Sequence, residues 1–329
     1  TAVECHQRLK ASMSHALVTR PRGLMNCGNT CFANSVLQCL VSTTPLACFF
    51  LRRFFASSLE DAGQQQALSS FRGRSLCRKR DNTGKKATSL VNSLADFFVK
   101  ALPSDKDRAA IDPSGDRDAF SPRALVSRVR EFCREMHFGG QHDAHEFLQG
   151  VLESMQKAEL VPFGGEKMVD FRSQETTILY QTFGGYLMSQ VKCPLCKYES
   201  NTFDSTLDLT LEITKSGVDS VEKALQGFTK VEKLDGDNAW KCENCKRKVE
   251  ARKQLTLHTA PNVLVIVLKR YTPGRFGKLN KRISFPNRLD LTPYMSVAHL
   301  DNSHSGKTSV ESCCGMASTS ADGAKSDAQ

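Results

Sequence analysis

The apolar positions change period partway along the chain. From Ala33 to Phe55, residues Val36, Leu37, Leu40, Leu46, Phe49 and Phe50 fall at helical spacing, with a break near Pro45. In "SLVNSLADFFVKAL" (89–102), Leu90, Leu94, Phe97 and Phe98 form one helical stripe. "SPRALVSRVREFCREM" (121–136) reads as a helix with Ser121 as N-cap and Pro122 at the first helical position. "GGQHDAHEFLQGVLESMQKAEL" (139–160) reads as a loop feeding a helix, with Phe147, Leu148, Val151, Leu152 and Met155 inward. Polar stretches at 57–88 and 103–120 read as loops.

After Glu175 the signal turns to strands. "TTILYQTFGGYLMSQVKC" (176–193) is rich in Thr, Tyr and Phe. "STLDLTLEI" (205–213) alternates strictly, with Leu207, Leu209, Leu211 and Ile213 on one face. "DSVEKALQGFTKVEKL" (219–234) is a short helix, and "KVEARKQLTLH" (248–258) a strand. "NVLVIVLKRY" (262–271) is continuously apolar, so a central strand is expected there. "FGKLNKRISFP" (276–286) turns at Gly277 into another strand. The pattern therefore predicts an α+β chain, helical first and β-rich second. Residues 1–22 read as a leader or linker, and 297–329, rich in Ser, Gly, Ala and Asp, as a disordered tail.

Composition narrows the class. The 329 residues include 40% hydrophobic residues and a single Trp, which fits a soluble globular protein. No apolar run reaches the roughly 18 residues that a membrane span needs. The formal net charge is +10, with clusters at 71–86 and 245–253. Such a balance suits acidic partners, but no nucleic-acid fold motif accompanies it, and solvated surface explains it equally well. The 13 cysteines are an odd count. Four stand as two CxxC pairs, which points to a reducing, intracellular setting, nuclear or cytoplasmic, rather than a disulfide framework.

The pairs "VKCPLCKYES" and "WKCENCKRKVE" offer Cys193, Cys196, Cys242 and Cys245. Four thiolates select Zn2+ over hard cations and leave no open position, so one structural zinc is expected. Buried thiols or a redox pair remain the alternatives, and a redox CxxC would stand before a helix.

"GLMNCGNTCFANSVLQCL" (23–40) holds three more cysteines. Gly28 tolerates backbone conformations closed to other residues, and Asn29 and Thr30 are candidate caps. Cys31 then enters the first helical turn, where unpaired N–H groups and the helix dipole favour a thiolate and can hold an oxyanion. Cys39 falls in the apolar pattern and is expected in the core. Cys27 gains no role.

This stretch closely resembles the cysteine box of the ubiquitin-specific proteases, the papain-like deubiquitinases. "GGQHDAHEFL" (139–148), the CxxC pairs, "PNVLVIVLKRY" (261–271) and "ISFPNRLDLTPYMS" (283–296) resemble further segments of that family, in the family's order. The resemblance covers 23–296. It implies a papain-like cysteine protease with thumb, palm and fingers: a helical thumb over about 23–160, zinc fingers over about 180–255, and palm strands from the rest. It implies Cys31 as nucleophile, Asn26 as oxyanion support, Asp143 and Glu146 as substrate contacts, and ubiquitin and ubiquitinated proteins as partners. His142 and His145 do not match the catalytic histidine.

The family's histidine box, with its Gly-His-Tyr element, has no counterpart after 296, so no general base is found and the C-terminal palm reads as truncated. His299 and His304 are the remaining candidates, and a disordered tail holds a base poorly within hydrogen-bond reach of a thiol. Three functions stay open. The first is a deubiquitinase acting through a Cys31 thioester. The second is a catalytically incomplete ubiquitin-binding or scaffold protein. The weakest is a zinc-ribbon nucleic-acid binder, which leaves Cys31 unexplained.

Overall fold

A computed structural model describes residues 21–61, 82–102, 119–270, 277–296 and 309–311. Helix α1 (Cys31–Val41) buries Phe32, Ala33, Val36, Leu37 and Leu40, as the spacing predicts. It stops at Ser42, and Pro45 opens α2 (Thr44–Asp61), a position where its missing N–H costs nothing. Helix α3 (Asn82–Ala101) buries Leu90, Leu94, Phe97 and Phe98. Helices α2 and α3 thus extend into both ends of the expected 57–88 loop, of which 62–81 lies outside the described residues.

Strands β1 (Gly23–Leu24) and β2 (Ala119–Phe120) pair in parallel and set the entry to α1. The expected 121–136 helix is two single turns, α4 (Arg123–Val126) and α5 (Val129–Phe132). Pro122, not Ser121, takes the capping position, while Ser121 Oγ accepts from Arg123 N–H at 3.3 Å. Between the turns, the Arg128 guanidinium reaches across to Ser89 and Ser93 of α3 and to Glu131, which favours the break. Helix α6 (Ala144–Leu160) follows, capped by Asp143. It packs against α1 and α3, so these helices share one core with Phe147, Val151 and Met155 at its centre.

Two short helices, α7 (Phe171–Gln174) and α8 (Ile178–Phe183), lead to the β-rich half. A Cβ on Gly184 would lie 2.3 Å from Tyr180 O, so the passage from α8 into strand requires glycine. Strands β3 (Gly185–Lys192), β4 (Glu199–Thr206), β6 (Glu232–Leu234) and β9 (Ala251–Thr259) form an antiparallel sheet in the order β4-β3-β9-β6. Strand β5 (Leu209–Leu211) pairs in parallel with β10 (Ile266–Leu268), and β7 (Trp240–Lys241) pairs with β8 (Lys248–Val249).

The alternation at 205–213 is realised: Leu209, Leu211 and Ile213 are buried in a second core with α9 (Val221–Phe228). The apolar run at 262–271 is shorter as a strand than expected and, among the described residues, has one ladder partner, β5. Its composition still has a physical reason. Val263 and Val265 pack on the helical core, whereas Leu264, Ile266 and Leu268 pack on the second core, so both faces are apolar. Strand β11 (Arg288–Asp290) pairs antiparallel with β12 (Ser309–Glu311). Three residues of the expected disordered tail are therefore strand; the rest of 297–329 lies outside the described residues. Among the described residues, no single helix is long and apolar enough to cross a membrane.

Candidate active site and metal centre

The residues before α1 form a tight loop. Gly28 and Asn29 both take positive φ, 92° and 52°, conformations that glycine and asparagine tolerate best. Thr30 takes the capping position, yet its side chain does not cap the helix. Instead Asn26 Oδ1 accepts from both Thr30 N–H and Thr30 Oγ1–H, each at 3.1 Å. Thr30 Oγ1 in turn accepts the Cys27 N–H at 3.0 Å. The sequence identified Asn29 and Thr30 as caps; the structure uses both to fold the loop. Asn29 Nδ2 donates to Gly139 O at 2.8 Å, tying this loop to the one before α6.

Cys31 is the first residue of α1 and is exposed. Its Sγ makes no hydrogen bond to a described residue. Asn26 is exposed as well, and its Nδ2 donates to none of them, so a donor remains for a ligand. Cys39 is also exposed, contrary to the core position expected of it. Residues 31, 35 and 39 follow at four-residue steps and share the helix face turned from the core. Cys27 is half-buried, with Sγ 3.1 Å from Ser121 Oγ.

The loop 139–143 flanks this helix start. The His142 ring meets Phe32 edge-on at 5.2 Å, and its Nε2 lies 2.9 Å from His137 O. That engagement is structural. Asp143 accepts the His145 N–H at 2.6 Å as N-cap of α6, and Glu146 stands exposed in the first turn. His145 Nε2 pairs with Asp208 Oδ2 at 2.9 Å, joining α6 to the β4–β5 junction. Sequence reasoning had no means of pairing these two, because 63 positions separate them. His299 and His304 lie outside the described residues.

Cys133 differs from Cys31 in burial: it is half-buried, whereas Cys31 is exposed. Burial, then the nearby Glu146 carboxylate, raise its pKa, and its Sγ donates to Glu146 O at 3.2 Å. A raised pKa leaves less thiolate at a given pH. Iodoacetamide near pH 7.5 should therefore label exposed Cys31 well before Cys133, and Cys133 labelling should climb only as pH rises. Time-resolved peptide mass spectrometry reads the order.

Each CxxC pair sits at the turn of a hairpin, β3–β4 and β7–β8. The two turns are built alike. Lys197 N donates to Cys193 O at 3.1 Å and Lys246 N to Cys242 O at 2.8 Å; both lysines take positive φ. Cys193 and Cys242 are fully buried. The four sulfurs lie within 4.8 Å of one another, with Cys193–Cys245 at 3.9 Å and Cys196–Cys242 at 3.7 Å. A tetrahedral ion with metal–sulfur bonds of about 2.3 Å requires sulfurs about 3.8 Å apart, so the donor set fits zinc in type and spacing. As thiols the four behave as one hydrogen-bonded unit. The Asn244 side chain, then Cys245, hold Cys196 down to about 6, and Cys245 is pushed up to about 12 by its bond to Cys196 and by burial.

A family model, ubiquitin carboxyl-terminal hydrolase, matches residues 22–308. Ubiquitin carboxyl-terminal hydrolase 19 of Arabidopsis thaliana is 41% identical over 279 residues, covering 85% of this chain and 36% of its own length. Ubiquitin carboxyl-terminal hydrolase 42 of Homo sapiens is 39% identical over 274 residues, covering 83% and 18%. The chain thus spans about a third or less of these relatives. Among solved structures, the SAGA Ubp8/Sgf11/Sus1/Sgf73 DUB module bound to ubiquitin aldehyde superposes with a TM-score of 0.58 at 24% identity, covering 88% of this chain and 58% of that one. The fold is accordingly the papain-like α+β fold with thumb, palm and fingers, and the chain belongs to the ubiquitin carboxyl-terminal hydrolase family, the ubiquitin-specific proteases.

Proposed function

We propose that this chain carries the nucleophile half of a thiol deubiquitinase site, with ubiquitin as the protein it binds and ubiquitinated proteins as substrates. The carrying observation is an exposed Cys31 opening α1 beside Asn26, whose Nδ2 remains a donor. Cys31 Sγ attacks the carbonyl carbon of ubiquitin's last residue. The S–C bond forms as the carbonyl electron pair moves to oxygen, and Asn26 Nδ2–H and the N–H groups at the start of α1 face that charge. Collapse re-forms the carbonyl, breaks the C–N bond and expels the amine, which takes up the proton that the thiol gave up on attack; water then hydrolyses the thioester, returning the thiol and a free ubiquitin carboxylate. Asp143 Oδ1 is engaged as a cap, so Oδ2 and the Glu146 carboxylate are the groups proposed to meet substrate. The four sulfurs of the fingers are proposed to hold one structural Zn2+. The thiol-rich composition supports an intracellular setting.

A second reading, binding without hydrolysis, is favoured by the lack of any described partner for Cys31 Sγ. One experiment separates the two. The full chain and its Cys31→Ala variant are incubated with ubiquitin bearing a C-terminal electrophile, and in parallel with a ubiquitin C-terminal amide. An adduct that disappears in the variant, with amide hydrolysis, establishes the enzyme. Adduct without hydrolysis establishes the nucleophile alone. An adduct unaffected by Cys31→Ala overturns the assignment.

A further inference from the structure

An asparagine amide has two ends of nearly identical shape, one a donor and the other an acceptor. An oxyanion is stabilised only if the NH2 end faces it; a flipped amide would present a repelling oxygen. What decides the orientation of Asn26 is a short chain of bonds whose polarity is fixed at its origin. The Cys27 N–H can only donate, so Thr30 Oγ1 must accept it at 3.0 Å. The single hydroxyl proton of Thr30 is then directed to Asn26, at 3.1 Å. The Thr30 N–H also can only donate, and it points to the same atom at 3.1 Å. Two obligate donors converge there, so that atom is Oδ1, and Nδ2 is turned away from the loop. Thr30 is 1% exposed, so water does not compete for these bonds.

We propose that Thr30 is a positioning residue that holds the Asn26 amide donor-outward at the reacting carbonyl. The inference rests on the reading of Cys31 and Asn26 given above, and adds a buried residue that acts through Asn26. Its chemical consequence is selective. Reactions in which Cys31 places charge on an oxygen need the lock, and reactions of the same thiol that build no oxyanion do not.

Ubiquitin aldehyde and ubiquitin propargylamide separate the two cases. With the aldehyde, an S–C bond forms and the carbonyl electron pair moves to oxygen, where the charge faces the Asn26 amide until that oxygen takes the proton the thiol gave up, leaving a reversible hemithioacetal. With the alkyne, the same sulfur adds to carbon and the proton ends on the neighbouring carbon, with no oxygen charged. In the full chain, Thr30→Val keeps the volume and removes the hydroxyl. It should weaken the aldehyde adduct by about tenfold, while alkyne capture and ubiquitin affinity stay within about threefold. Thr30→Ser should restore the aldehyde adduct. On an Asn26→Ala background, Thr30→Val should add nothing, because the group it orients is gone.

Equal losses with aldehyde and alkyne, or full additivity with Asn26→Ala, would overturn the positioning role. So would an unchanged aldehyde adduct in Thr30→Val. A wild-type chain that binds ubiquitin but reacts with neither probe would instead remove the Cys31 reading itself, and the proposal with it.

Discussion

Replacing Cys193 and Cys242 together by serine should leave the chain without bound metal, whereas the parent should carry about one zinc per chain. The expected consequence is local collapse of the β3–β4 and β7–β8 turns. Among the described residues, the cluster around the sulfurs has four buried members, Cys193, Cys242, Val249 and Ala251, and two of them are the proposed ligands. Strands β7 and β8 have two residues each, far too short to persist alone. The Tyr198 and Trp240 rings stack 6.4 Å apart and pack half-buried against the cluster. Apparent metal-binding free energies of about 10–16 kcal/mol in four-ligand zinc peptides exceed anything this cluster supplies by packing. Limited proteolysis of the double variant should open new cuts within 190–250, while far-UV circular dichroism retains the helical signal, because the helical core shares no residue with the knuckles. Bound ligands must be thiolates, so acid should release the metal from the parent chain in the same region. Unchanged metal content in the double variant, measured by mass spectrometry of the purified protein, would end the assignment.

The cluster of four cysteines was legible because both halves of its information are local. A CxxC fixes two ligands through one hairpin turn, and the turn chemistry repeats at Lys197 and Lys246. The place of Cys31 in the first turn of α1 was legible for the same reason, since helix entry is written within six residues. The role expected of Asn26 came from resemblance alone; the structure adds that its Oδ1 accepts from Thr30 N–H and Oγ1–H. Errors arose where a pattern ignored direction or distance. Cys39 sits among apolar residues in sequence, but at the helix phase of Cys31 and Ser35 rather than that of Leu37 and Leu40. The 121–136 segment has helical spacing, yet Arg128 is drawn to Ser89 and Ser93, 39 and 35 positions away, and the helix breaks there. His145–Asp208 is likewise a contact of the folded chain that no local pattern encodes.

The core beneath the cysteine helix should be the costliest place to remove volume. Phe147 is fully buried on α6, one turn after the Asp143 cap. Phe32, the residue after Cys31, meets it edge-on at 5.6 Å, and Phe132 meets it at 5.8 Å. Edge-to-face pairs add about 0.5–1.5 kcal/mol each to the burial of the ring. Phe147→Ala would remove both pairs and leave a cavity between α1, α5 and α6, at an expected cost of about 3–5 kcal/mol in urea denaturation. Phe147→Leu fills most of the space without the ring edges and should cost about 1–2 kcal/mol. Phe163, which is 69% exposed, supplies the control: Phe163→Ala should stay within about 0.5 kcal/mol. The loss should also reach the site. Phe32 is clamped between Phe147 and His142, so a slack Phe147 position frees the first turn of α1 from the 139–143 loop. Capture of a ubiquitin electrophile should then slow in Phe147→Ala even under conditions where the variant remains folded. A Phe147→Ala chain as stable as Phe163→Ala would mean that the three rings do not form the packed support for Cys31 that their distances describe.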